Sequence, residues 1–222
     1  SICGRTKETL TNAAEEIETY GVSVLSTIAD VIKGEEAKVF FSNTLERYGK
    51  IDVLVNNVGG SRLTSSLEIS DQEWHQLLDL NLVSAARMSR LVIPMMQDQK
   101  NGVIIMISSI YGREGGGHIT YNAAKAAEIS MAKSLAREFA PENIRVNSVA
   151  PGSIAFPGGV WAQRQEENPE KIYEMVDQLI IPRFDFVSMS KWVLGKHWKS
   201  ASETQRAEFI TQFKELLVRT YA

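Results

Sequence analysis

The sequence predicts an α/β fold, a parallel sheet wound by helices on both faces, followed by a helical appendage at the C-terminal end. Two observations predict it. Apolar, β-branched runs of about six residues alternate with amphipathic stretches of roughly twelve to twenty-five, the grammar of successive strand–helix–strand units. The segments Asn56–Gly60, Ser109 and Pro151–Gly152 each follow directly on such a run. Those are strand carboxyl ends, where parallel sheets bind their ligands.

In chain order, Ile2-Cys3-Gly4-Arg5 reads as the tail of a strand, and the start at Ser1 reads as other than a natural terminus. Residues 7–20 carry a helical pattern stopped by Gly21. Val22 to Ile28 reads as a strand ending at Asp30. Residues 34–48 form an amphipathic helix, with Val39, Phe40, Leu45 and Tyr48 spaced for one face. Ile51-Asp52-Val53-Leu54-Val55 is a near-continuous apolar run, as expected of a strand buried on both faces. A long helix follows Asp71 as N-cap and runs to Met96 despite Pro94. A strand over 102–108, a helix over 121–139 and a strand over 144–149 complete the pattern.

Bulk properties exclude several functions. Among 222 residues the net charge is −3, with both signs interleaved. No basic stripe suits a nucleic acid and no cationic amphipathic helix suits a membrane surface. No apolar run approaches the ~20 residues of a membrane span, and no signal-peptide pattern is visible. Cys3 alone permits neither an internal disulfide nor a thiolate metal site, and His75, His118 and His197 are too scattered to suggest a metal cluster. A cytoplasmic, reducing setting is the expectation.

Tyr121 and Lys125 carry the chemistry. Their spacing of four puts phenol and ammonium on one helix face, and Ser109 closes the apolar run that precedes them. A free phenol titrates near pH 10, and a cation within a few ångströms favours its ionised form. The constellation reads as an acid–base device acting on a substrate oxygen. A bare Tyr-x-x-x-Lys recurs by chance, but only one of six tyrosines here has the partner, and it follows a serine-tipped strand.

With these residues in hand, Ile2 to about Gln178 resembles a short-chain dehydrogenase/reductase, close to the 3-oxoacyl-carrier-protein reductases. Asn56-Asn57-Val58-Gly59, Asn81, Ser109, Tyr121-x-x-x-Lys125 and Pro151-Gly152 stand in the family's order. The resemblance implies a Rossmann-type doubly wound sheet and hydride transfer between a nicotinamide and a small-molecule carbonyl or alcohol. Tyr121 would be the general acid and base, Ser109 would steady the substrate oxygen, and Lys125 would support the phenolate and bind the nicotinamide ribose. Asn81 would hold a water linking Lys125 to solvent; otherwise it is an ordinary polar helix residue. Asn57 and Gly59 would sit near the adenine ribose. Asp30 would meet the adenine, or else is a turn residue. Pro151 and Gly152 would shape the carboxamide pocket. Arg5 would pair with a 2′-phosphate, favouring NADP over NAD, or else is a solvated arginine. Gly115–Gly117 would give flexibility before Tyr121, and Phe156 and Trp161 would form an apolar lid or simply core. No metal is implied, and assembly as a homo-oligomer is compatible with the resemblance.

Two departures qualify it. The family's first strand and glycine-rich turn would lie N-terminal to Ile2, mid-sheet, where the turn cradles a pyrophosphate. The sheet is therefore expected to be an incomplete one, and this polypeptide alone to bind nucleotide poorly. Second, Pro182-x-Phe184-Asp185-Phe186, Leu194-Gly195-x-x-Trp198 and Leu216-Leu217-x-Arg219-Thr220-Tyr221 resemble part of the toluene-tolerance/MlaC family of periplasmic phospholipid-binding proteins. Ser202 and Gln205 form a capping box there, ahead of Phe209, Ile210 and Phe213 at helical spacing. The domains expected are a dehydrogenase-like one over 1–178 and a helical one over 179–222. The alternatives to an oxidoreductase are a phospholipid-binding fragment or an inactive joining of two genes.

Overall fold

Five short parallel strands form two separate ladders in this structure, a computed structural model that describes residues 1–61, 66–152, 154 and 181–221. The first unit, Ser1–Gly152, begins β1 (Ile2–Gly4), α1 (Lys7–Glu18), β2 (Ser26–Ile28) and α2 (Gly34–Tyr48). It continues β3 (Val53–Asn56), α3 (Asp71–Leu78), a π turn (Asp79–Val83), α4 (Ser84–Gln99) and β4 (Gly102–Ile107). It closes with a 3-10 turn (Ile110–Gly112), α5 (Ile119–Phe139) and β5 (Ile144–Val149). The second unit, Ser153–Ala222, holds α6 (Phe186–Leu194), α7 (His197–Ser200) and α8 (Glu203–Tyr221).

The order β3-β4-β5 is parallel throughout, with Leu54 paired to Ile104 and Ile104 to Val146. Parallel neighbours need a crossover of a dozen or more residues, and α4 and α5 supply it. Their apolar stripes close the core: Met88, Val92, Met96 and Ala132 pack on Leu54, Ile104, Met106 and Val146. The predicted α2 and β5 have the observed bounds, but the face of α2 is corrected: Val39 and Tyr48 are exposed, and Ala37 and Thr44 are the buried residues.

Several expectations are corrected. The strand expected over Val22–Ile28 is confined to Ser26–Ile28, where it pairs with β1. The cap of α3 is Ser70, whose Oγ accepts from Glu73 N at 3.2 Å, so Asp71 is the first helical residue. Pro94 is tolerated because it lies on the exposed side of α4, where water can take the carbonyl it leaves unbonded. β3 is buried on one face only: Leu54 is 9% exposed, whereas Val53 and Val55 are 50% and 52% exposed. An apolar run records what a strand can tolerate, not what covers it. Among the described residues that second face is only half covered.

The β1–β2 ladder makes no strand pairing with β3. Between them lies a crevice of about 50 Å³ bordered by Cys3, Leu54, Asn56 and Met88, room for a water or two. In the second unit the Ser202–Gln205 box is reciprocal, with Gln205 N donating to Ser202 Oγ at 3.2 Å and Ser202 N to Gln205 Oε1 at 3.0 Å. Phe209 and Phe213 stack behind it, ring centroids 5.8 Å apart.

Candidate functional site

β4 ends at Ile107, and the chain leaves it through Ser108 and Ser109 into the 3-10 turn. Two reciprocal bonds tie that strand end to α5. Lys125 Nζ donates to Ile107 O at 2.8 Å, and Ser108 Oγ donates to Lys125 O at 2.8 Å. β5 joins through Ser108 N to Val149 O at 2.8 Å and Ile110 N to Pro151 O at 2.9 Å. Two strand ends and one helix are thereby fixed around Lys125, which is 3% exposed.

Ser109 is extended (φ −157°, ψ 156°) and caps the 3-10 turn, its Oγ accepting from Tyr111 N at 3.2 Å. Its own hydroxyl hydrogen has no acceptor among the described residues. Tyr121 lies in the first turn of α5, which begins two residues before the predicted start. It is half-buried, and Lys125 Nζ stands 5.7 Å from the centre of its ring.

Asn81 sits in the π turn, fully buried. Its Oδ1 accepts from Gly60 N at 2.9 Å, and its Nδ2 donates to Gly60 O at 2.9 Å and Leu77 O at 2.8 Å. Both amide hydrogens are spent on backbone carbonyls, so the side chain clamps the loop after β3 and keeps only an acceptor lone pair for a water. Gly59 fits tightly beside it: a Cβ there would lie 2.7 Å from Asn81 Oδ1 and 3.0 Å from Lys125 Nζ. That close approach is the physical reason for glycine at this position.

The remaining predicted residues are more dispersed. Asn57 is exposed beyond β3, while its neighbour Asn56 is buried between Ser89 Oγ and Met106 Sδ. Pro151 is half-buried against the Ser109 turn and Gly152 is exposed. Asp30 makes the turn its alternative reading foresaw: its Oδ1 accepts from Ile32 N at 3.1 Å, and its N donates to Glu36 Oε2 at 2.7 Å. Arg5 is exposed after β1 with no ion-pair partner among the described residues. Gly116 takes φ 121°, and a Cβ on Gly117 would meet the Asn122 side chain and the Tyr111 ring, so packing as well as flexibility accounts for that run. Phe156 and Trp161 lie outside the described residues.

Sequence reasoning missed Glu128. This carboxylate is fully buried, with Oε1 and Oε2 at 3.2 and 3.0 Å from Lys125 Nζ. Oε2 receives no well-aligned hydrogen bond. Burial pushes its pKa up to about 7, against the opposing pull of Lys125. The signal was available: Glu128 lies three residues past Lys125 and seven past Tyr121, on the same helical face.

Gly112 sets how closely the turn approaches α5. A Cβ there would lie 2.8 Å from the backbone C and O of Lys125, and backbone cannot swing aside as a side chain can. Gly112→Ala is expected to destabilise the unit by about 1–3 kcal/mol, read by urea unfolding. An unchanged midpoint would show that the turn yields instead.

Among the described residues no group of three or more His, Cys, Asp or Glu is placed to hold a metal ion, and no helix is long and apolar enough to cross a membrane. The short chain dehydrogenase family matches residues 1–168, and the MlaC protein family matches residues 161–222. The 3-oxoacyl-[acyl-carrier-protein] reductase FabG of Thermotoga maritima is 36% identical over 169 residues, which are 76% of this chain and 66% of that one. The chain spans less than two thirds of the length of the first reductase relatives it matches. A short-chain dehydrogenase/reductase from Burkholderia xenovorans superposes with a TM-score of 0.68 at 32% identity, over 74% of this chain and 67% of that one. An NAD+-bound xylitol dehydrogenase superposes with a TM-score of 0.68 at 27% identity, over 73% and 63%.

Proposed function

The chain belongs to the short chain dehydrogenase family, and on that premise we propose an oxidoreductase that interconverts a small carbonyl compound and its alcohol at the expense of a nicotinamide dinucleotide. The observation that carries the proposal is the buried Lys125, fixed to the end of β4 at 2.8 Å and facing the Tyr121 ring at 5.7 Å. That places a fixed positive charge beside the ring of the candidate acid. Tyr121 Oη then gives its proton to the substrate oxygen on reduction and takes it back on oxidation. Ser109 Oγ, whose hydrogen is uncommitted, donates to the same oxygen and steadies the charge developing on it. Asn81 and Gly59 keep the loop after β3 close enough for Lys125 to reach a ribose hydroxyl.

The bound dinucleotide would supply or accept the hydride. The residues fit its nicotinamide end: glycine at position 59 leaves space beside Lys125 that a Cβ would fill. Pro151 and Gly152 would border the carboxamide, and Asn57, Gly59 and Asp30 the adenosine. The exposed guanidinium of Arg5 supports NADP over NAD, since a 2′-phosphate would give it a charged partner. A phosphate cradle is not among the described residues, and the crevice beside β3 is far too small for a nucleoside. Assembly as a homo-oligomer belongs to the same proposal. So does a cytoplasmic setting, supported by a lone cysteine with no disulfide partner.

NADPH fluorescence with this polypeptide is expected to show no saturation in the micromolar range. At millimolar NADPH, absorbance loss with a panel of 3-oxo thioesters and small ketones is expected to report slow reduction. No reduction of any substrate would sink the proposal. The MlaC match favours one further reading, in which the second unit binds lipid. Trp192 and Val193 on α6 and Leu216 on α8 are exposed apolar side chains that a lipid could cover. Phospholipid co-purifying with the polypeptide, detected by mass spectrometry, would support it.

A further inference from the structure

Lys125 is surrounded by more negative charge than the proposed chemistry uses. Its ammonium has three hydrogens. One goes to Ile107 O and one to Glu128 Oε1 at 3.2 Å, while Oε2 stands 3.0 Å away without a well-aligned hydrogen bond. Burying an ionised carboxylate without strong compensation is costly. An apolar residue would fill position 128, packed among Ala124 and Ala132, with no such cost.

We infer that Glu128 is a positioning residue for the acid–base pair, dividing the charge of Lys125 between its own carboxylate and the Tyr121 phenol. The inference rests on the proposed function for its meaning, but its geometry stands alone. Lys125 Nζ lies between an ion-pair partner and an aromatic ring one helical turn away. With Glu128 ionised the pair is neutral, and the phenolate sees a compensated cation. With Glu128 protonated the ammonium acts undivided.

Burial places the Glu128 transition at about pH 7, so the pair changes character across neutrality. The elements packed against this part of α5 are α3, the π turn, β4, the 3-10 turn and β5. Their charged residues are Asp71, Glu73, His75, Asp79 and Arg145, with Arg113 just past the 3-10 turn, each exposed or half-buried. Burial and Lys125 alone govern the Glu128 carboxyl.

Phenolate absorbance gives a test that needs neither cofactor nor turnover. Subtracting the alkaline titration of Tyr121→Phe from that of the unsubstituted chain isolates Tyr121. Glu128→Gln, compared with Glu128→Gln/Tyr121→Phe, is expected to move that midpoint down by about one pH unit. Glu128→Asp, which keeps the charge, is expected to hold the original midpoint. Equal midpoints with and without the carboxylate would overturn the inference. Failure of both the Gln and Asp variants to fold would assign Glu128 to structure alone and overturn it as well. If the shift appears while no carbonyl is reduced, the inference stands and the proposed activity falls.

Discussion

Lys125→Met is expected to cost the first unit about 3–5 kcal/mol above neutral pH, the scale for breaking a buried ion pair by removing one member. Methionine fills a similar volume, so cavity formation contributes little. The loss comes from Ile107 O, left without its donor, and from Glu128, left in the core without its cation. The carboxyl can escape the penalty by taking up a proton, so the cost depends on pH. Already in the unsubstituted chain its pKa is raised from 4.5 to about 7. Between those values the folded state binds more protons than the unfolded one, and stability falls as pH rises. The full span is about 3 kcal/mol, present below pH 4.5 and lost through pH 7. Removing the ammonium raises the folded pKa further and extends the falling limb. Urea unfolding at pH 6 and pH 8 should therefore find Lys125→Met more damaging at pH 8. Equal damage at both would mean that Glu128 is not the group left stranded.

Tyr121→Phe is expected to lower the rate of carbonyl reduction by about 10²- to 10⁴-fold, the usual worth of a general acid. Stability should move by no more than about 0.5 kcal/mol, because the ring stays and the hydroxyl has no partner among the described residues. This contrast separates the two residues, one holding the architecture together and one serving the reaction. The initial rate of NADPH oxidation at millimolar NADPH, set beside urea midpoints, reads both quantities. A tyrosine variant that unfolds easily, or reduces at the original rate, would remove Tyr121 from its proposed role.

Much of this arrangement was legible in the residues. Hydrophobic period and stop residues were enough for α2 and β5, because both elements are decided locally. The Tyr121–Lys125 spacing placed both groups on one face, and the serine-tipped strand lies where the spacing required. Contacts distant in sequence were not legible. Nothing local says that Asn81 will spend its amide on Gly60, twenty-one residues upstream, or that Val53 and Val55 will lack cover. Ser70 was overlooked because Asp71 is an equally good cap by type, and only backbone geometry separates them. Glu128 was passed over because acidic residues on helices usually face water. Here Glu128 lies on the buried face of α5 with Ala124 and Ala132, one helical turn to either side.

The π turn at Asp79–Val83 constrains how the chain can change length. Such a turn holds one residue more than the helix on either side of it. Deleting one of its five residues would restore ordinary helical bonding and leave α4 in the same rotational register with α3, because the turn already absorbs the extra ~100°. Leu77 and Met96 would then stand eighteen residues apart and, at ~100° per residue, would still share the inward face. The cost of such a deletion would fall on Asn81, which lies in the turn and clamps Gly60 through both ends of its amide, and not on the packing of the two helices.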